Sequence, residues 1–135
     1  MKEEKVAVEK NIDTNNGNFK RGQIYIASLG RDAVGSEQAG KRPVLIIQND
    51  IGNKYSPTMI VAMLSTKMPR KSQRTHVHLK KDECIGLDKD CVVMTEQIRT
   101  ISKDRIEIKS AIATVSSEDM KAVEKAMLIS LGMAM

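Results

Sequence analysis

Tryptophan is absent from this chain, and Phe19, Tyr25 and Tyr55 are its only aromatic residues. That scarcity argues against the nucleic-acid-binding domains that stack successive bases on aromatic platforms. Any base recognition must lean on polar groups and backbone, with Tyr55 available to stack one base. Cysteine is almost as scarce. Cys84 and Cys91 stand without a secretion signal, so reduced thiols in a cytosol are the default expectation. No apolar run approaches the ~20 residues that cross a bilayer. Residues 1–18 alternate Lys and Glu before the polar NIDTNNGN and contain no apolar h-region. They are expected to form a polar, loosely attached leader, and residues 19–135 a single domain.

What is present is positive charge, unevenly placed. The net charge is +5, and the stretch Leu64–Lys81 carries six Lys or Arg and no acid. A solvated surface loop is the plain reading of such a run; a polyanionic partner is the functional one. Between Gly35 and Asp50 the sequence GSEQAGKRPVLIIQND comes close to a phosphate-binding loop of the GxxxxGK[ST] type, but Arg42 stands where a magnesium-binding hydroxyl belongs. Pro43 and the apolar Val44–Ile47 follow, so a strand rather than a helix N-terminus comes next, and no ATP site is expected. What remains is an arginine at the start of a buried strand beside a polar loop, suited to gripping a phosphate.

The apolar pattern predicts strands at Gln23–Ser28, Val44–Gln48, Met59–Leu64, Thr75–Leu79, Cys91–Met94 and Arg105–Ile108. Met59–Leu64 is continuously apolar and is expected at the centre of the sheet. Asn49–Asn53 reads as a turn, and a turn or short helix is expected near Ser102–Asp104. Ser116, followed three residues later by Asp119, is an N-cap signature for a terminal helix. Met120, Val123, Met127 and Leu131 mark its apolar face and Gly132 its stop. Short strands, long loops and one late helix give a mainly β, α+β chain: a compact, largely antiparallel barrel closed by a helix.

Several constellations carry chemistry. His76 and His78 share one face of a predicted strand, and Cys84 and Cys91 could complete a zinc set. C-x6-C is not a usual zinc spacing, however, and no metal or other cofactor is expected. Both thiols lie near apolar neighbours, which disfavours a catalytic cysteine. Glu37 and Glu96 could be drawn as a carboxylate pair, but carboxylates are too common for that to count. Arg42 beside a hydroxyl from the end of the central strand, Ser65 or Thr66, is more specific. RNA can be cleaved by its own 2′-hydroxyl, given help in deprotonating it, positive charge on the phosphorane and a proton for the departing 5′ oxygen. An arginine supplies charge and a bidentate grip.

The blocks RGQIY (Arg21–Tyr25), GSEQAGKRPVLIIQND, GNKYSPT (Gly52–Thr58), THV (Thr75–Val77), TEQIRTI (Thr95–Ile101) and MLISLG (Met127–Gly132) closely resemble the MazF-type toxins of Gram-positive bacteria. These are ribosome-independent mRNA endoribonucleases of type II toxin–antitoxin systems, and the likeness runs over roughly residues 19–132. It implies a small SH3-like barrel of the MazF/CcdB toxin type, a cytoplasmic homodimer, metal-independent cleavage of single-stranded mRNA at a short site, and neutralisation by a cognate MazE-like antitoxin. The family's essential arginine falls on Arg42 and its catalytic threonine on Ser65, a departure that keeps the hydroxyl and loses the methyl. Thr66 stands next to it. RNA-contacting positions fall on Ser36, Glu37 and Gln38 in the first loop, and on Glu96 and Gln97. Arginine is a poor base because its pKa exceeds about 12. Arg42 is therefore read as phosphate clamp and proton donor, with the base unassigned. The alternatives are a non-enzymatic toxin of the same fold that poisons a protein such as gyrase, and an RNA binder silenced by the change to serine.

Overall fold

The structure, a computed structural model, describes residues 18–30, 34–35, 40–68 and 73–133. The leader up to residue 17, the loop positions Ser36, Glu37 and Gln38, and residues 69–72 of the basic stretch lie outside the described residues. Strand β1 (Gln23–Ser28) is followed by β2 (Lys41–Ile46), helix α1 (Asp50–Tyr55), β3 (Thr58–Ser65), β4 (His76–Leu79) and β5 (Cys91–Ser102). A single 3₁₀ turn (Lys103–Arg105), β6 (Ala113–Thr114) and helix α2 (Ser117–Ser130) complete the order. Among the described residues the strands form one six-stranded sheet in the order β4-β5-β3-β2-β1-β6, with every pairing antiparallel.

Because side chains alternate across a strand, the apolar runs feed two cores on opposite faces of the sheet. One face holds Phe19, Tyr25, Ala27, Val44, Ile46, Met59, Val61, Met63, Val92, Met94 and Ile106. The other holds Ile24, Leu45, Ala62, Leu64, Leu79, Val93 and, from α2, Met120 and Val123. Both faces of β3 are therefore packed, as its continuous apolar run predicts; only Ile60 reaches solvent. Phe19 and Tyr25 meet edge to face with centroids 4.9 Å apart. Two of the three aromatics are thus spent on the core, and exposed Tyr55 is the one left for a ligand.

Helix α2 begins where the capping signature places it, with Ser116 Oγ accepting from the Asp119 amide at 3.1 Å. Met120, Val123 and Ala126 are buried, Met127 packs against the core and Leu131 is exposed. Gly132, at φ +72°, ends the helix, with its amide bonded back to Ile129 O.

Four boundaries differ from the sequence reading. β2 starts at Lys41 rather than Val44, taking Pro43 into the strand. Asn49–Asn53 is the start of a helix rather than a turn: Asn49 caps α1 by accepting from the Gly52 amide at 2.8 Å. β5 runs on from Met94 to Ser102 because its second half pairs with the first half of β3. Arg105–Ile108 is not a strand; Ile106 alone bridges to Ala27, and Ile108 is exposed.

Candidate functional site

The ends of β2 and β3 bring the basic residues of the first loop onto the sheet. Val44 pairs with Met63, Leu45 with Ala62 and Ile46 with Val61. Continued two residues outward, the same register sets Arg42 opposite Ser65. Both then lie on the face of Val44 and Met63, away from α2, because alternate residues share a face. Thr66, one residue on, falls opposite Lys41 and alternates to the other side. Arg42 is exposed and Ser65 half-buried. Lys41 forms an exposed ion pair with Glu107 at 3.0 Å.

The Ser65 hydroxyl is oriented by its own turn. It accepts from the Lys67 amide at 3.0 Å, while its proton has only a long contact, 3.5 Å, to Lys67 O. With a lone pair engaged and the proton weakly held, it is set up to donate to an incoming oxygen. An arginine and a hydroxyl donor on neighbouring strand ends supply the charge and the hydrogen-bond donor that binding one phosphodiester requires.

Glu96 and Gln97 sit on an irregularity that no local pattern announces. Ala62 pairs with Ile98 but Met63 with Met94, so Thr95, Glu96 and Gln97 on β5 have no partner on β3. The bulge is held from both sides. Thr95 donates through its amide (2.9 Å) and its hydroxyl (2.6 Å) to Thr75 O, and Ser130 of α2 donates to Thr95 O at 2.9 Å. Glu96 turns its carboxylate onto β4, meeting Thr75 Oγ1 at 3.1 Å and His76 Nε2 at 2.8 Å. The amide of half-buried Gln97 touches Met94 Sδ at 3.8 Å.

The two histidines therefore differ. His76 is almost fully covered, with Nδ1 buried and unpartnered. His78 is exposed and has no hydrogen bond or ion pair among the described residues. Sequence reasoning weighed the pair for zinc and missed the Thr75–His76–Glu96 cluster; the proximity of THV to TEQ across a β4–β5 hairpin was the available signal. No group of three or more His, Cys, Asp or Glu that could hold a metal occurs among the described residues. Cys84 and Cys91 face the α2 side, both buried. Burial, reinforced by Cys84 and Asp90, pushes the Cys91 thiol up to about 11, far from a nucleophilic thiolate.

Residues 20–131 match the PemK-like, MazF-like toxins of type II toxin–antitoxin systems. The chain is 47% identical over 115 residues to the endoribonuclease MazF of Staphylococcus saprophyticus, covering 85% of this chain and 92% of that protein. Among solved structures, an endoribonuclease in complex with its cognate antitoxin from a mycobacterial species superposes with a TM-score of 0.67 at 23% identity, over 86% of this chain and 97% of that one. A MazE–MazF complex from Deinococcus radiodurans also gives 0.67, at 20% identity, over 85% and 96%. At these identities the structural likeness establishes a shared α+β fold.

Proposed function

This chain belongs to the PemK-like, MazF-like toxin family of type II toxin–antitoxin systems, and from that premise we propose that it cleaves single-stranded mRNA in the cytoplasm through the opposed pair Arg42 and Ser65. It is a homologue of the MazF endoribonuclease toxins. The observation that supports the mechanism is the register of β2 on β3, which, continued two residues outward, brings Arg42 opposite the oriented Ser65 hydroxyl.

The RNA 2′-oxygen attacks the adjacent phosphorus, and the phosphorus–5′-oxygen bond breaks. Arg42 binds the non-bridging oxygens in a bidentate fork and protonates the departing 5′ oxygen. Ser65 donates to a non-bridging oxygen as charge builds on the phosphorane. The products are a 2′,3′-cyclic phosphate and a 5′-hydroxyl. No step needs a metal, because arginine supplies the charge that a metal would.

Gln97, with Ser36, Glu37 and Gln38 of the first loop, reads the RNA around the cut through base edges; Glu96, held by Thr75 and His76, positions the bulge that carries Gln97, and Thr66 faces away from the cut. The active species is a homodimer, and its partner in the cell is an acidic, MazE-like antitoxin that lies across Arg42 and the basic stretch. Antitoxin complexes of two structural neighbours fit that reading.

Incubating the purified protein with a long single-stranded RNA in EDTA, then mapping the new 5′ ends, tests the proposal. Discrete cuts at one short motif are expected, and they should vanish from an oligonucleotide bearing a single 2′-deoxy at the scissile nucleotide. A folded protein that leaves RNA intact would point instead to a toxin of the same fold with a protein target. Cuts in the 2′-deoxy substrate would overturn the 2′-hydroxyl mechanism.

A further inference from the structure

The mechanism above lacks a group to take the 2′-hydroxyl proton, and the sheet supplies one. Ser65 pairs with Val92 on β5, and Val92 pairs with His78 on β4. His78, Val92, Ser65 and Arg42 therefore form one transverse row on a single face of the sheet. At about 4.8 Å per strand, His78 and Arg42 stand roughly 14 Å apart at their Cα atoms. An arginine and a histidine at that Cα separation are long enough together to contact the two sides of a single phosphodiester. Val92, between Ser65 and His78, is itself packed in the core at 1% exposure, so the RNA meets the row at its outer ends, with the Ser65 hydroxyl between them.

We propose that His78 is the general base, which accepts the 2′-hydroxyl proton from the side of the phosphate opposite Arg42. This assignment rests on the reading of the chain as an RNA-cleaving enzyme. Other candidates are committed elsewhere. Both oxygens of Glu96 are engaged by Thr75 and His76, His76 is buried against that carboxylate, and Asp90 accepts from the Lys81 amide at 2.9 Å. His78 is exposed, carries no partner among the described residues and sits on the edge strand, where RNA can reach it. The titratable and charged groups on this face are His76, two residues back on the same strand with its Glu96 carboxylate partner, Lys80 just past the strand, Asp90 before β5, and Arg42 across the row.

The step balances without an outside reagent. The 2′ proton passes to the neutral imidazole as the 2′-oxygen–phosphorus bond forms. Arg42 gives a proton to the 5′ oxygen as its bond to phosphorus breaks. His78 then returns its proton to solvent and Arg42 regains one. Histidine suits the role because it accepts and releases a proton near neutral pH.

Single-turnover cleavage by the wild type and His78→Gln, followed from pH 5 to 9, tests the assignment. The wild-type rate should fall on the acidic side. His78→Gln should lose about 10²-fold or more, the usual worth of a positioned base, and lose the acid limb with it. The defect should persist on a substrate with a 5′-bridging sulfur, whose departure needs no acid. Rescue by that substrate would make His78 an acid and overturn the assignment. A wild-type rate and pH profile in His78→Gln, or an altered cutting motif with the profile unchanged, would overturn it as well while leaving the ribonuclease reading intact. Failure of the wild type to cut would overturn both.

Discussion

At the scale of single residues, the two neighbouring hydroxyls at the end of β3 are distinguished by the pleat. Ser65 shares a face with Arg42 and has its hydroxyl oriented by the Lys67 amide, whereas Thr66 alternates away. Removing a hydrogen bond made to the phosphorane costs about 2.7–4 kcal/mol at most. Ser65→Ala is therefore expected to slow cleavage about 10²- to 10³-fold, and Thr66→Ala less than about threefold, as single-turnover rates would show. The reverse order would move the site to the other face. That Arg42 and Ser65 fall at the ends of two apolar strands was legible from the sequence, because the strand character of both runs is unmistakable. Which hydroxyl faces the arginine was not, since that depends on a register shared by two strands. Ser36, Glu37 and Gln38 lie outside the described residues, so their part in recognition stays with the proposal.

At the scale of elements, local signals worked where one segment decides its own structure and failed where a partner decides. Ser116 with Asp119 fixes the start of α2 through a bond within one turn. Ser116→Ala should lower stability by about 1 kcal/mol in denaturant unfolding, as loss of a helix cap does; an unchanged midpoint would mean that the cap is dispensable. β5 by contrast is long because β3 pairs with both of its halves, and its three-residue bulge exists only against β3, β4 and Ser130. Nothing within Thr95–Gln97 announces that. Asn49–Asn53 carries turn chemistry, yet its asparagine side chain caps a helix, which the same chemistry equally permits. The next residue in that helix, Asp50, accepts from the Arg21 amide at 2.7 Å and from Asn53 at 3.0 Å, tying α1 to the segment before β1. The Arg21 amide, above all, holds its carboxyl below the usual range. A lowered carboxyl stabilises the fold above its unfolded pKa, and that contribution is lost as pH falls through the folded value. Asp50→Asn should thus cost less than about 1 kcal/mol at pH 7, given its exposure, and the difference from wild type should shrink below pH 4 in unfolding curves. A constant difference across that range would assign the effect to shape rather than charge.

At the scale of the whole molecule, the sheet separates its two tasks by face. One side is closed by α2 and holds the thiols; the other ends in the row that carries Arg42, Ser65 and His78. With one exposed aromatic, any RNA grip proposed for this chain has to come from charge and polar groups rather than stacking. RNA binding should therefore weaken steeply with salt. Each neutralised phosphate of a single strand contributes about −0.7 to the slope of log affinity against log salt. A non-cleavable 2′-deoxy oligonucleotide is expected to give a slope between about −2 and −4, and salt-independent binding would contradict an electrostatic grip. Arg42, near the start of β2, is the residue proposed to grip the phosphate that is cut. The most direct test of that assignment is the cleavage rate of Arg42→Ala on one RNA substrate, with folding verified by circular dichroism and thermal unfolding. A folded variant is expected, at wild-type stability to within about 0.5 kcal/mol as for other surface substitutions, that releases no product while wild type cuts to completion. Full cleavage by the folded variant would contradict it.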